Sequence, residues 1–202
     1  MAEHPKRPAT YADIEAAPEH LVAEIIDGEL MTHHHGVPRS AATRSALSWV
    51  VSRFQARPGR IDGWRILHLP ELWLGDDVIV PDLCGWRVEK LPILPEQHAT
   101  IVPNWVCEIM SDETVRRDRC AKRDLYAAMG LQHLWLVDPD AQTLESFALA
   151  NGQWMLSGAW NSDDVVRAPP FDAISFCLAD LWPLDPPLGL NEDPTPYYAG
   201  DR

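Results

Sequence analysis

The chain has 202 residues, 46% of them hydrophobic, and no segment approaches the roughly 20 apolar residues that cross a bilayer. Its N-terminus is polar and lacks the apolar stretch of a signal peptide, so we expect a cytoplasmic protein with no membrane association. The net charge of −13 argues against a broadly basic surface for nucleic acid, and the four widely spaced cysteines exclude a C-x-x-C zinc site.

The first third of the chain predicts a short helix, a hairpin and a long helix. Residues 1–10 are expected to be disordered, and a short helix is predicted at 11–17. An Asp-Gly pair between two β-prone runs predicts a hairpin at 24–30. A His-rich loop at 33–38 then precedes a helix at 39–55. Adjacent histidines in a loop point in different directions, so we do not expect them to share one metal ion.

Strands alternate with one further helix in the rest of the chain. That helix is predicted at 114–129 and ends at Gly130, and residues 89–104 form a long irregular connection. The pattern indicates a single α/β domain over residues 11–182, followed by a tail at 183–202 that is rich in Pro and Asp. Strands are predicted at 64–69, 71–74, 78–80, 105–110 and 133–137, with a hairpin of strands at 143–149 and 153–157.

Two acidic residues stand at unusual places in these strands. Glu108 lies in the apolar run at 105–110, and a buried charge without a partner is costly. Its partner could be a metal ion, or an arginine in a structural salt bridge. Asp82 follows Pro81 where a strand begins or ends, a position that ligands can reach, although it could also be a turn or capping aspartate.

A lysine is predicted on the inward face of the helix at 114–129. At about 100° per residue, Lys122 falls on nearly the same line as Val115 and Met129, and it can point back at Glu108. Lysine is seldom buried without a partner. The alternative is an exposed i,i+4 pair with Asp118.

Asp82, Glu108 and Lys122 together predict a metal-dependent nuclease. Two carboxylates can hold Mg²⁺ or Mn²⁺, and a lysine can orient the attacking water or stabilise charge on the phosphate. We therefore predict Asp82 and Glu108 as metal ligands and Lys122 as the third catalytic group. One further acid of the early hairpin, Glu24 or Glu29, could complete the site.

Three arginines on the same predicted helix, Arg116, Arg117 and Arg119, are the candidate contacts to a nucleic-acid backbone. The chain contains no Gly-x-Gly-x-x-Gly or P-loop motif, so we expect no nucleotide cofactor.

These motifs, in this order, resemble the Uma2 family (also known as DUF820) of the PD-(D/E)XK nuclease superfamily. The resemblance extends over roughly residues 11–182. Two positions depart from the family pattern: Ser40 stands near a position where a histidine is frequent, and Asp112-Glu113 follows Ser111 where Pro-Ser is common. The matching segments are 24–30, 80–83, 85–87, 106–111, 117–119 with Lys122 and Tyr126, and 134–139.

The resemblance implies a restriction-endonuclease-like core, in which a mixed central sheet is flanked by helices and carries the site at one edge. It places the metal-binding acids of the family on Asp82 and Glu108. The superfamily lysine usually lies two residues after this Glu, and the resemblance relocates it to Lys122. DNA is the implied substrate, and a homodimer is expected because cutting two strands needs two sites.

Two other classes of function stay open. The net charge of −13 favours a DNA-binding or interaction module that keeps the fold with weak or no catalysis, whereas the Asp82, Glu108 and Lys122 set favours an enzyme. An enzyme that acts on a small phosphodiester would also suit an acidic surface. Divalent-metal binding distinguishes the enzyme from the scaffold.

Overall fold

The chain alternates between β-strands and a few short helices. The computed structural model describes residues 7–34, 38–56 and 63–182. Short 3₁₀ turns at 52–54 and 178–181 and a π-helical turn at 118–122 complete the secondary structure. In chain order the elements are α1 (Tyr11–Glu15), β1 (Leu21–Ile26), β2 (Glu29–His34), α2 (Pro38–Val51), β3 (Trp64–His68), β4 (Leu72–Leu74), β5 (Asp77–Ile79), β6 (Leu83–Arg87), β7 (Trp105–Ile109), α3 (Val115–Arg117), α4 (Arg123–Ala128), β8 (His133–Asp138), β9 (Thr143–Ala150), β10 (Gln153–Asn161), β11 (Val165–Val166) and β12 (Phe176–Cys177).

The central sheet has six strands in the order β10-β9-β8-β7-β6-β3. Only β7 and β8 run parallel, because the helical segment 115–128 (α3, the π turn and α4) crosses over between them; the other neighbours in this sheet are antiparallel. A second sheet of four short strands has the order β2-β1-β5-β4. The mixed central sheet flanked by helices confirms the predicted fold class.

Each face of the central sheet carries its own hydrophobic core. On one face Trp64, Trp105 and Trp135 pack around Phe171 and against α2. On the other face Val106 and Leu134 pack against the helical segment 115–128 and the four-stranded sheet. Because side chains alternate along a strand, Glu108 of β7 points to this second face, as Val106 does.

Both predicted hairpins are confirmed. Asp27 and Gly28 have φ values of +52° and +74°, and Asn151 and Gly152 have +51° and +75°. Two consecutive positive φ values define the two-residue turns that suit the twist of a hairpin, which explains the Asp-Gly and Asn-Gly sequences. Gly130, with φ of +75°, follows the helical segment 115–128, as predicted.

The structure corrects three sequence predictions. His33 and His34 belong to β2 instead of a loop, while residues 35–37 of that prediction lie outside the described ranges. The strand β6 had no predicted bounds, although Cys84 and Trp86 lie in strand-like runs; a Cβ at Gly85 within it would lie 3.1 Å from the ring of Trp64. The predicted regular helix at 114–129 contains a π turn at 118–122. The expectations for residues 1–6 and 183–202 also fall outside the described ranges.

Among the residues that the structure describes, no helix combines the length and the apolar character needed to cross a bilayer.

Candidate active site

A narrow polar cleft lies where β6 begins and β7 ends, beside α2 and the helical segment 115–128. Its free volume is about 30 Å³, which is room for one or two water molecules. Charged side chains of both signs line it, so the cleft is the natural place to look for chemistry. Those that matter below are Arg44, Asp82, Glu108, Arg117, Asp118 and Lys122.

Glu108 is almost completely buried, at 2% exposure, and has two partners. The hydroxyl of Tyr126 donates to its Oε1 at 2.5 Å. The Lys122 Nζ lies 3.2 Å from Oε1 and 3.3 Å from Oε2. The salt bridge is therefore made by a lysine, and the arginine alternative considered from the sequence is wrong.

Lys122 is buried to the same degree, at 1% exposure. Its closest partner is Glu24, whose Oε1 lies 2.8 Å from Nζ, and Asp118 lies farther away at 3.9 Å. The alternative of a partly exposed Asp118–Lys122 pair is wrong, because both side chains are buried. The π turn places both residues on the inward side of the helical segment, and such turns are frequent at functional sites.

The structure separates the two candidate acids of the early hairpin. Glu24 is fully buried, and besides Lys122 it accepts a hydrogen bond from the Val80 backbone N–H at 2.8 Å. Glu29 is exposed beside the turn, pairs with Ile26 in the β1–β2 ladder and does not line the cleft. Glu24 is therefore the hairpin acid that joins Glu108 and Lys122.

Asp82 sits directly before β6 and is fixed by two groups. Its Oδ2 accepts a hydrogen bond from the Ile109 backbone N–H at 2.8 Å, which ties it to the end of β7 beside Glu108. Its Oδ1 accepts from Arg44, with Nε at 2.8 Å and Nη2 at 2.6 Å. Arg44 was not among the predicted site residues. The available signal was its spacing four residues after Ser40 and three before Leu47, which puts all three on the buried side of α2.

Only one of the three predicted nucleic-acid contacts lies in the cleft. Arg117 has a side chain that is 12% exposed, and it lies between Glu24 and Asp118. Arg116 is exposed outside the cleft. Arg119 forms an ion pair with Glu145 at 2.6 Å, so it is already engaged within the protein.

Charge is unevenly shared among the acids around Lys122. Burial opposes ionisation of Glu24, but Lys122, His33 and Arg117 more than offset it and hold its pKa at about 2. Burial raises the pKa of Glu108 to about 8; Lys122 lowers it, but Asp118, Asp82 and Glu24 raise it further. One ammonium group cannot neutralise two buried carboxylates. Glu24, with an additional backbone donor, keeps its charge, and Glu108 is the acid that retains a proton at neutral pH.

Replacing Tyr126 by Phe is expected to lower the free energy of unfolding by about 1–3 kcal/mol, because a buried oxygen of Glu108 loses its hydrogen-bond donor. Urea denaturation measures this loss. The matched control is Tyr11→Phe, because the Tyr11 hydroxyl makes a long contact of 3.4 Å with Glu71 at a more accessible place. This control variant should change the free energy of unfolding by less than about 0.5 kcal/mol. Equal losses in the two variants would contradict a special role for the Tyr126–Glu108 bond.

The chemistry of the cleft suits a divalent cation. Four acidic side chains, of Glu24, Asp82, Glu108 and Asp118, lie beside three cationic side chains, those of Arg44, Arg117 and Lys122. Carboxylate oxygens are the ligands that Mg²⁺ and Mn²⁺ prefer. Two buried oxygens make only long ion-pair contacts: Glu24 Oε2 lies 3.4 Å from Arg117 Nη1 and 3.6 Å from His33 Nε2, and Asp118 Oδ1 lies 3.5 Å from Arg117 Nε. Within residues 7–34, 38–56 and 63–182, no three His, Cys, Asp or Glu side chains are already arranged around one metal position. The donor set fits, and side chains must adjust to bind.

Comparisons with known proteins identify the family and the fold of the chain as a whole. Residues 8–179 match the model of the Uma2 family, described as "Putative restriction endonuclease". The fold is similar to a crystal structure described as a putative nuclease belonging to DUF820 from Anabaena variabilis ATCC 29413. The TM-score is 0.68 at 24% sequence identity, and the match covers 86% of this chain and 97% of that one. No curated protein matches.

Proposed function

The chain belongs to the Uma2 family, and we propose that it is an endonuclease that hydrolyses DNA phosphodiester bonds with the help of Mg²⁺ or Mn²⁺. Asp82 and Glu108 are the proposed metal ligands, Lys122 is the third catalytic group, and Glu24 is the additional acid. When bound, the cation would polarise the scissile phosphate and lower the pKa of a coordinated water.

The single observation that carries this proposal is the position of Lys122. Its ammonium group is 1% exposed and lies within 3.3 Å of oxygens of both Glu24 and Glu108. Burying an ion cluster of this kind costs free energy that an apolar core would not, so stability alone does not account for it. A catalytic role explains the buried cluster better, because ionisable groups that bind a cation and transfer protons near a phosphate are kept despite their cost in stability.

The residues of the cleft have different proposed roles in cation binding, proton transfer and charge stabilisation. Arg44 and the Ile109 N–H fix the Asp82 carboxylate at the end of β7, so that it can bind a cation without rearranging its backbone. Burial raises the pKa of Glu108 to about 8, so Glu108 would have to release its proton to serve as a ligand of a bound cation. Burial lowers the pKa of Lys122, but the Glu24 carboxylate at 2.8 Å and the other acids around the ammonium group raise it by more, so Lys122 stays charged and can stabilise negative charge on the phosphate.

The test is cleavage of plasmid and single-stranded DNA by untagged protein with Mg²⁺, Mn²⁺ or EDTA. We expect cleavage by the wild type only with a divalent cation, and a loss of about a hundredfold or more in Asp82→Asn, because a metal ligand is removed. Asp76→Asn is the control, since Asp76 is exposed in the turn between β4 and β5. Cleavage by Asp82→Asn at the wild-type rate would exclude this mechanism.

The acidity of the chain keeps a second candidate open, a DNA-binding or interaction module with weak or no catalysis. The net charge is −13, and Arg119 is paired with Glu145 instead of being free for phosphate. Divalent-cation binding by the wild type favours the enzyme, and its absence favours the module. A cytoplasmic location and a homodimer stay part of the proposal as predictions from the sequence.

A further inference from the structure

Leu69 has a backbone conformation that leucine rarely adopts. Its φ is +46°, in the left-handed region where a side chain is strained. It also precedes Pro70, and a residue before proline favours an extended backbone with negative φ. Strain of this kind persists only where the surrounding structure imposes it, and it is concentrated at functional sites. Within the described ranges, the other non-glycine residues with positive φ are polar and lie in turns: Asp27, Gln142, Asn151 and Ser162.

The strained corner at Leu69 places its side chain at the cleft. The backbone N–H of Leu69 donates to the Asp82 carbonyl oxygen at 3.1 Å. This bond extends the pairing of β3 with β6, after which the chain leaves the central sheet for β4 of the second sheet. Glycine would make such a corner without strain, so the corner alone does not explain a leucine. The leucine side chain is half-buried and lines the cleft.

The Leu69 side chain also forms part of the wall between the cleft and a larger pocket. That pocket has a free volume of about 340 Å³ and is lined by residues of α1, of β1 and of the connection between β3 and β4. Leu69, Val22 and Val80 line both spaces, so they form a common apolar wall. The cleft itself has about 30 Å³, which admits water but no nucleoside. The rest of a nucleotide held at the cleft must therefore lie outside it, and the pocket adjoins it.

The chemistry of the pocket suits a nucleoside and not a phosphate. Its walls are mainly apolar, and its charged members are the acids Glu15, Glu19 and Glu71. These acids repel phosphate groups, whereas carboxylate oxygens accept hydrogen bonds from the amino groups of bases. The uncharged part of a nucleotide is thus favoured in the pocket, while its phosphate is favoured beside Lys122 in the cleft.

We propose that this pocket is the subsite for the nucleoside next to the scissile phosphate, and that Leu69 packs against its sugar and selects deoxyribose over ribose. The side chains of Leu69, Val22 and Val80 offer no hydrogen-bond partner to a 2′-hydroxyl, so a ribose packed on this wall would bury that group unpaired. Leu69 is then a specificity-determining residue in contact with the substrate. The inference rests on the proposed function, because it takes the scissile phosphate to lie in the cleft.

The experiment compares kcat/KM for a DNA oligonucleotide and for an RNA oligonucleotide of the same sequence, both with Mn²⁺. We expect the wild type to prefer DNA by about tenfold or more. Leu69→Ala and Leu69→Gly should cleave the two substrates within about threefold of each other, because water can then reach the 2′-hydroxyl. Leu69→Met keeps an apolar wall and should keep the preference. Leu156→Ala is the control, since Leu156 is exposed on β10 and lines neither space.

Melting temperatures of the same variants test the strain at Leu69. Leu69→Gly should melt about 2–4 °C above Leu69→Ala, because only glycine adopts a positive φ without strain. At a residue with ordinary φ the order is reversed. A purely structural role of Leu69 would change the melting temperatures and leave the ratio of DNA to RNA cleavage as it is in the wild type.

The outcomes separate this inference from the proposed function. Equal or better cleavage of RNA by the wild type, or an unchanged preference in folded Leu69→Ala, overturns the subsite and leaves the proposed function intact. No cleavage of either substrate by the wild type overturns both. A Leu69→Gly protein that melts no higher than Leu69→Ala overturns the strained corner on which the inference is built. The wild-type ratio decides the matter even if the variants do not fold, which circular dichroism establishes.

Discussion

Replacing Lys122 by Met is expected to lower the free energy of unfolding by about 3–5 kcal/mol at neutral pH, the largest stability change that we predict. Methionine fills a similar volume but leaves Glu24, fully buried, without the ammonium group at 2.8 Å. Arg117 cannot replace that charge fully, because its Nη1 lies 3.4 Å from Glu24 Oε2. The Val80 N–H donates a hydrogen bond to Glu24 but carries no net charge. Urea denaturation followed by tryptophan fluorescence measures the loss, because four tryptophans are nearly completely buried.

The loss should shrink in acid. Glu24 has a pKa of about 2 in the folded protein against 4.5 as its ordinary value, so its ionised form contributes stability above pH 4.5. That contribution disappears as the pH falls through about 2 in the wild type, and it is already absent in Lys122→Met. The two proteins therefore converge in stability as the pH falls.

Two further variants make the result specific. Lys122→Met combined with Glu24→Gln should recover part of the lost stability, because the buried acid that Lys122→Met leaves without its counter-ion is then neutral. Lys90→Met is the control, since Lys90 is on the surface after β6, and it should change stability by less than about 0.5 kcal/mol. Strictly additive effects at positions 122 and 24 would show that the two side chains do not interact.

The fold was predictable where a local pattern determines it. The two hairpin turns follow from Asp-Gly and Asn-Gly, because these residues tolerate the positive φ that the turns require. The strand that carries Glu108 follows from an apolar run bounded by a proline-rich connection. By contrast β6 had no predicted bounds, because the need for Gly85 there arises from the rings of Trp64 and Trp105 on neighbouring strands. Such tertiary contacts leave no local signal.

The site was predictable only in part, for a similar reason. The inward position of Lys122 was predicted from helical spacing. The prediction holds although the segment contains a π turn, because residues four apart, such as Asp118 and Lys122, still lie on the same inward side. Glu24 could not be separated from Glu29 by sequence, since only the pairing of β1 with β5 brings one of them to the Val80 N–H. Arg44 was missed because its partner, Asp82, is distant in sequence. Asp118 was considered only as an exposed partner of Lys122, because the π turn that buries both residues was not expected.

Replacing Glu108 by Gln is expected to reduce DNA cleavage by about a thousandfold, the scale on which the loss of a group that stabilises transition-state charge acts. Stability at neutral pH should change by no more than about 1 kcal/mol, because Gln resembles the protonated carboxyl group that Tyr126 already contacts. Activity and stability should thus separate at this position, whereas at Lys122 both are lost.

The pH dependence makes the role of Glu108 testable without activity. Its pKa is about 8 in the folded protein and 4.5 ordinarily, so between these values the folded state holds a proton that the unfolded chain has released. The contribution of Glu108 to stability therefore falls with rising pH, by about 1.4 kcal/mol per pH unit, across that window. In Glu108→Gln this slope should vanish, while the exposed control Glu29→Gln should retain it.

Metal binding should show the opposite trend. A cation at Asp82 and Glu108 must displace the proton, so the affinity of the wild type for Mn²⁺ should rise with pH until about 8 and then level off. A flat affinity over this range would mean that Glu108 is already ionised or is not a ligand. A Glu108→Gln protein that kept both Mn²⁺ binding and cleavage would remove Glu108 from the mechanism, and the buried Lys122–Glu24 pair would then be a structural feature of the sheet edge.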